Sequence, residues 1–215
     1  RAQVLDRASL AKDAWRIETW YANNGYFSSK IHGWEIITVR EGNPAKDKPK
    51  IVRVVGYVDE GKVSTIRKIN WKGLKRTGSA FITLIRRKAA IKPGEPFNVD
   101  AVRETEGMLL NQLHDMSHGF ATVTTTVDAY PEENVVDITV HAKPGPPCRF
   151  GPITVTGDYD IPESFVRAEL TIKEGRAFRA ATLAETQRRL FSLGVFSMVN
   201  VVPDLSRRKE KIIPI

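Results

Sequence analysis

Two stretches of this chain follow one pattern at a fixed spacing. Ile66, Ile69, Trp71 and Gly73 recur 84 residues later as Phe150, Ile153, Val155 and Gly157. Phe81-Ile82 falls in the same register on Phe165-Val166. With the spacing shortened to 81, Ile91-Lys92-Pro93-Gly94-Glu95-Pro96-Phe97 falls on Ile172-Lys173-Glu174-Gly175-Arg176-Ala177-Phe178, and both read Ile-Lys-x-Gly-x-x-Phe. A shorter element recurs three times, as Asn24-Gly25-Tyr26-Phe27-Ser28, His118-Gly119-Phe120-Ala121 and Leu193-Gly194-Val195-Phe196-Ser197. A repeat decides the architecture before any local reading, because each copy must be one supersecondary unit. The expected organisation is a partial unit at 1–61, a full unit at 62–145 and a third at 146–215 that is cut inside or just after its last strand. The chain opens on Arg1 without an initiator Met or a signal-peptide layout, so it reads as a processed or excised fragment.

The order of elements within a unit follows from periodicity. Ile69-Asn70-Trp71 alternates and stops at Gly73, as a strand does. Ser79 is placed to cap a helix that carries Phe81, Leu84 and Ile85, and Lys92-Pro93-Gly94 breaks it. Asn98 or Asp100 starts a second helix with Val102, Leu109, Leu110 and Leu113 on its apolar stripe. Gly119 is expected to end that helix in the left-handed region. Residues 122–129 and 135–142 read as strands joined by the turn Tyr130-Pro131-Glu132-Glu133-Asn134. The unit is therefore β-α-α-β-β. The first unit keeps one helix (Leu10, Ala14, Ile17, Tyr21) and two strands; in the third, Pro162 opens the first helix, and Leu183, Leu190 and Leu193 mark the second. The fold class is α+β, with two helices on one face of a three-stranded sheet in each complete unit. The sheet is mixed, because the hairpin pairs antiparallel and the βααβ crossover can pair in parallel.

Charge is unevenly placed along the 215 residues. Between Gly61 and Gly94 there is no acid, but there are ten bases: Lys62, Arg67, Lys68, Lys72, Lys75, Arg76, Arg86, Arg87, Lys88 and Lys92. Residues 95–142 hold nine acids and only Arg103 as a base. The basic stretch is either a solvated surface or a patch for phosphates, on nucleic acid or on anionic lipid headgroups. No apolar run is long enough for a spanning helix. The single cysteine, Cys148, excludes an internal disulfide and a Cys-rich metal site. Among the histidines, only His114 and His118 have the i, i+4 spacing of paired zinc ligands, without the glutamate and third ligand of a zincin. No nucleophile elbow and no phosphate loop is present. Arg149 next to Cys148 would lower the thiol pKa, but no base is placed beside it. Trp15, Trp20 and Tyr21 lie on a helical pattern and read as core and packing residues. The expectation is a non-enzymatic chain that takes no cofactor.

The landmark positions resemble those of POTRA domains, the polypeptide-transport-associated modules of outer-membrane assembly proteins. The family pattern has a glycine ending the first strand (Gly73, Gly157) and Gly-x-x-Phe before the second helix (Gly94 with Phe97, Gly175 with Phe178). A Gly-aromatic or aliphatic-Phe-Ser corner then enters the second strand (Gly25 onward, and Gly194 through Phe196-Ser197). The middle unit departs from it, with 22 residues from Phe97 to Gly119 against 16 from Phe178 to Gly194. The resemblance implies the periplasmic part of a BamA/TamA-like outer-membrane protein, followed by its own C-terminal β-barrel. It implies a scaffold that receives unfolded β-barrel clients and docks accessory assembly proteins. The POTRA region of a two-partner secretion transporter is the alternative, and a nucleic-acid module on 62–92 a more distant one. It also places the second strand of each unit at the sheet edge, where unpaired backbone groups can accept an extended peptide. The candidate edges are Ile31 and the rest of 31–39, Thr122, Val123, Thr124 and Thr125 within 122–128, and Met198, Val199, Asn200, Val201 and Val202.

Overall fold

The computed structural model describes residues 5–43, 48–75, 77–157, 161–206 and 211–215. The chain falls into two compact units, Arg1–Ile69 with Ile91–Val102 and Val127–Ile138, and Asn70–Ala90 with Arg103–Thr126 and Thr139–Ile215. The first repeat is helix α1 (Arg7–Asn23) followed by strands β1 (Lys30–Arg40) and β2 (Ile51–Asp59). These strands pair antiparallel, with Trp34 opposite Gly56. A Cβ at Gly56 would sit 2.7 Å from the Trp34 ring, so the glycine lets the indole lie across its neighbour.

The second repeat holds β3 (Thr65–Lys72), α2 (Ser79–Lys88), α3 (Val99–Asp115), β4 (Thr122–Tyr130) and β5 (Val135–Lys143). The strand order is β3-β5-β4. The Thr65 N–H donates to the Asn134 carbonyl (3.0 Å) at the start of both β3 and β5. At their ends, Gly73 lies against the Ala142 carbonyl so closely that a Cβ would overlap it. Starts meeting starts and ends meeting ends make β3 and β5 parallel. The crossover strand therefore pairs with the third strand of the unit and not with the second, and β4 lies at an edge. Val136, Ile138, Val140 and Ala142 of β5 are all buried and form one side of the core. At α2 the expectation changes, and at α3 one of the two expected starts is the cap. The residue before α2 is Gly78, with no side-chain cap, and Ser79 is the first helical residue. Asn98 is the cap of α3, its Oδ1 accepting from the Asp100 and Ala101 N–H groups (2.8 and 3.2 Å).

The third repeat holds β6 (Arg149–Phe150), α4 (Glu163–Ala168), α5 (Ala180–Ser192) and β7 (Ile212–Ile213). β6 and β7 pair in parallel, as β3 and β5 do. Its core is Cys148, Phe150, Ile172, Phe178, Leu183 and Ile213. Residues 153–157 and 198–202 are not strands here, in contrast to the expectation of a three-stranded sheet in this repeat.

The repeat is written in backbone hydrogen bonds as well as in sequence. The Gly94 N–H donates to the Ile66 carbonyl, Ile66 N–H to Glu95, and Phe97 N–H to Ser64 (2.7, 2.8 and 2.9 Å). The equivalent bonds run from Gly175 to Phe150, Phe150 to Arg176 and Phe178 to Cys148 (2.8, 2.8 and 3.0 Å). A buried threonine recurs too. Thr105 Oγ1 accepts from the Ala90 N–H (3.1 Å), and Thr186 Oγ1 lies 2.6 Å from Thr171 Oγ1.

Candidate strand-docking edges

The corner that leads into each second strand is set by one left-handed residue after the second helix. It is Gly25 (φ 90°) after α1 and Gly194 (φ 71°) after α5. After α3 it is Ser117 (φ 72°), whereas Gly119 does not have a positive φ. The corner of the middle unit therefore lies at Ser117, two residues before Gly119, which corrects the expected match of Gly119 with Gly25 and Gly194. With the corner at Ser117 the middle unit has only four extra residues, and they lengthen α3, which has 17 residues against 13 in α5. Gly119 stands where Phe27 and Phe196 stand in the other repeats. Its role is steric: an added Cβ would overlap Ile213 Cδ1 and lie 3.1 Å from the Phe178 ring. At the corresponding place after α1, Phe27 meets Phe97 ring to ring at 5.3 Å. The carbonyl of the left-handed residue is used alike in both places, accepting from Ser64 at Gly25 (2.8 Å) and from Cys148 at Ser117 (2.7 Å). Gly73, Gly94, Gly157 and Gly175 also have positive φ.

The three candidate edges differ. β4 is outermost in its sheet, and Thr122, Thr124, Thr126, Asp128 and Tyr130 are exposed while the residues between them are half-buried. Thr122, Val123, Thr124 and Thr125 all lie on it. The opposite edge, β3, is already covered at its start by the Gly94–Phe97 bonds described above. In the first repeat, the Ile31 N–H on β1 donates to Glu18 Oε1 (3.1 Å), so a side chain from α1 occupies that position. In the third repeat, Met198, Val199, Asn200, Val201 and Val202 form no ladder among the described residues, which corrects the expectation of a strand there. The physical reason is that their neighbour in the sheet reaches only Asp204, whose N–H donates to the Pro214 carbonyl (2.8 Å). Val199 also lines a groove of about 310 Å³ with Ala184, Gln187, Arg188 and Phe191, and Phe191 is 57% exposed.

The basic stretch is partly neutralised from within. Arg67 grips Asp137 with two parallel bonds (2.9 and 2.8 Å), reaches Glu133 with its third nitrogen (3.0 Å) and stacks 4.6 Å over the Tyr130 ring. Lys68 Nζ adds an ion pair to Asp137 (3.1 Å). The Arg67 guanidinium, first, and Lys68 hold the Asp137 carboxyl down to about 2, and the same bond raises the Arg67 pKa further. Lys72, Lys75, Arg86, Arg87 and Lys88 are exposed, and the last three form the final turn of α2. Arg76 lies outside the described residues.

The remaining candidates are structural. His114 stacks edge-on to Phe178 at 6.2 Å, and burial lowers its pKa. His118 Nδ1 lies 3.0 Å from the Gly145 carbonyl oxygen. Among the described residues no group of three His, Cys, Asp or Glu side chains could hold a metal ion. Burial raises the Cys148 thiol pKa, which outweighs any effect of the neighbouring arginine. Trp15 and Trp20 are 68% and 60% exposed and not core residues, in contrast to their sequence reading. No described helix is long and apolar enough to cross a membrane.

Comparison with known proteins places this arrangement. The chain is 26% identical over 201 residues to the outer membrane protein assembly factor BamA of Neorickettsia risticii, covering 93% of this chain and 26% of that protein. It is 24% identical over 199 residues to BamA of Neisseria meningitidis serogroup B, covering 93% of this chain and 24% of that one. It thus spans about a quarter of the length of these relatives. In structure it is similar to a three-domain segment, the third to fifth POTRA domains, of Haemophilus influenzae BamA. The TM-score is 0.67 at 22% identity, over 99% of this chain and 80% of that one. The family model described as POTRA, surface antigen variable number repeat, matches residues 64–145 and 148–213, more than half of the chain. The β-α-α-β-β repeat, its glycine clasps and this match agree: the chain belongs to the POTRA family.

Proposed function

We propose that this chain is a periplasmic scaffold in the assembly of β-barrel proteins into the outer membrane, receiving client strands along the open edge of β4. The BamA relatives support the setting. The observation that carries the mechanism is the strand order β3-β5-β4, in which β4 is an edge with nine residues of alternating exposure. Every second N–H and C=O of an edge strand faces away from its neighbour. An incoming extended chain can satisfy them without reading side chains, so affinity comes from the backbone and tolerates many sequences. That tolerance suits clients that share β-strand geometry and little else. The exposed faces are Thr-rich, and threonine is at home in a strand without forming the greasy patch that invites aggregation. Accessory proteins dock on the remaining exposed surfaces in this reading.

Backbone recognition has a clean test. A ten-residue peptide of alternating Val and Thr is titrated against the protein, and then two versions N-methylated at alternate residues. One set of amides faces β4 and the other faces solvent. Methylation of one set should weaken binding at least about tenfold, roughly the loss of one or two net hydrogen bonds, and methylation of the other should leave it unchanged. Equal effects from both sets would refute edge pairing.

The internal pairing of Arg67 and Lys68 with Asp137 disfavours the nucleic-acid alternative, because two of the bases are already committed.

A further inference from the structure

One hydroxyl on β4 is left without a partner. Among the described residues, Thr125 Oγ1 is the one buried side-chain oxygen or nitrogen that makes no hydrogen bond. Such a group costs stability until a donor or acceptor reaches it. Thr125 sits near the middle of β4, and β4 is outermost in its sheet, so the free side of the strand is where a partner can arrive. We propose that this partner is Thr125 of a second copy, and that two copies of the chain pair antiparallel through β4 about a two-fold axis at this residue.

The β4 sequence, Thr-Val-Thr-Thr-Thr-Val-Asp-Ala-Tyr, is self-complementary in that register. Centred on Thr125, the pairing sets Thr122 opposite Asp128, Val123 opposite Val127 and Thr124 opposite Thr126. On the exposed face, hydroxyl meets carboxylate and hydroxyl meets hydroxyl. On the half-buried face, valine meets valine and the two Thr125 hydroxyls meet each other. Opposed side chains on paired strands are close enough for such threonine pairs to hydrogen-bond. Other centres do worse. Centring on Thr126 sets Thr125 opposite Val127 and leaves its hydroxyl without a partner. Centring on Asp128, the only charged residue of β4, opposes two carboxylates. The lone hydroxyl and the lone acid therefore select the same register.

The contrast with β1, an edge strand of the first repeat, points the same way. β1 carries Lys30, His32, Glu35 and Arg40, and its register shifts between Ile31 and Gly33. Charges and irregularities of this kind blunt an edge against pairing. β4 has no lysine, arginine, proline or glycine. Two-fold pairing uses the one β4 of each copy, so it closes at the dimer and does not grow into a fibre. The two three-stranded sheets join into one of six strands, with the helices of both copies on the same face. At low concentration the chain is a monomer with an open edge, and pairing sets in as concentration rises. The inference rests on the edge reading proposed above and adds a competitor: client strand and second copy exclude one another at β4.

The test mixes two variants of the full chain, Thr122→Cys and Asp128→Cys, one of them carrying a size tag, under mild oxidation. Both positions are exposed, and the native Cys148 is buried and common to both chains. In the proposed register the two new cysteines face each other. Two copies of the same variant hold theirs six residues apart along the strand, about 20 Å, beyond the roughly 7 Å that a disulfide can span. The expected result is a disulfide dimer in the mixture and none with either variant alone. No dimer in the mixture, or equal dimer with either variant alone, overturns the register and the proposal. Sedimentation equilibrium of the unaltered chain, with and without the Val/Thr peptide, separates the two readings. The expected result is a dimer that dissociates as the peptide binds. A chain that stays monomeric at all concentrations while the peptide binds overturns the self-pairing and leaves the edge reading standing. A dimer that persists with peptide bound to β4 also overturns it, because the copies then meet elsewhere. Cross-linking in the mixture without any peptide binding upholds the self-pairing, and the client reading fails.

Discussion

Ser117→Gly and Gly119→Ala should change stability in opposite directions. Ser117 is held at φ 72°, where an L-residue costs about 1–2 kcal/mol. Glycine removes that cost but loses about 0.5–1 kcal/mol through its freer unfolded chain. The net expectation for Ser117→Gly is a gain of up to about 1 kcal/mol. Gly119 presents the other problem. A methyl there overlaps Ile213 Cδ1 and presses the Phe178 ring, and Ile213 and Phe178 are 0% and 2% exposed. Overpacking of that kind costs about 1–3 kcal/mol. The clash is specific, so Ile213→Val, which deletes Cδ1, should recover part of the loss in the double variant and leave a measurable coupling energy. The assay needs care. The four tryptophans are Trp15, Trp20, Trp34 and Trp71, all far along the chain from this site, so fluorescence would not follow the third repeat. Hydrogen exchange in urea, read on segments containing Phe178 and Leu190, follows it directly. A stable Gly119→Ala together with a destabilised Ser117→Gly would refute the assignment of Ser117 as the corner and of Gly119 as the notch.

Other consequences are as direct. Asp115 Oδ1 accepts from the Ala181 N–H (2.9 Å) and so caps α5, whose own preceding residue, Arg179, provides no side-chain cap. Asp115→Ala should cost about 1 kcal/mol and speed exchange in the first turn of α5, while Asp115→Asn should retain most of the cap. Asp137, held near 2 in the fold against 3.8 when free, contributes stability that is present above pH 3.8 and lost as pH falls through about 2. Asp137→Asn should remove that part of the acid dependence, which a pH series of denaturation midpoints and an NMR titration of the carboxyl would read. If the internally paired bases are not a phosphate site, duplex DNA should bind without a steep salt slope, and a slope of several log units per log salt would contradict this.

Most of the fold was legible because its determinants are local or repeated. Hydrophobic spacing located α1, α3 and α5, and the turn at Tyr130–Asn134 located the hairpin. What was not legible depended on residues distant in the chain. Nothing near Arg67 announces Asp137, 70 residues on, so a run that looks cationic is partly paired in the structure. Glycine was a misleading landmark at Gly119 because two physical needs select it. One is a left-handed backbone, as at Gly194, and the other is space for a neighbour's side chain. The second need is set by Phe178 and Ile213, which belong to the next repeat. The cap on α5 was invisible for the same reason, since Asp115 comes from the preceding repeat. The 81-residue offset also pairs Thr105 with Thr186, both buried, so this feature is written in the sequence. The pairing of β3 with β5 was open at the sequence level, because a βααβ crossover leaves room for a third strand to enter between its two strands.

The proposed docking of a strand on the outer edge of β4 is tested most directly by amide exchange along β4. With the Val/Thr peptide at saturation, every second amide between Thr122 and Tyr130 should slow markedly, namely those whose N–H points away from β5, while the amides already bonded to β5 change little. Uniform or absent slowing along β4, or slowing confined to the last turn of α2 at Arg86, Arg87 and Lys88, would contradict the account.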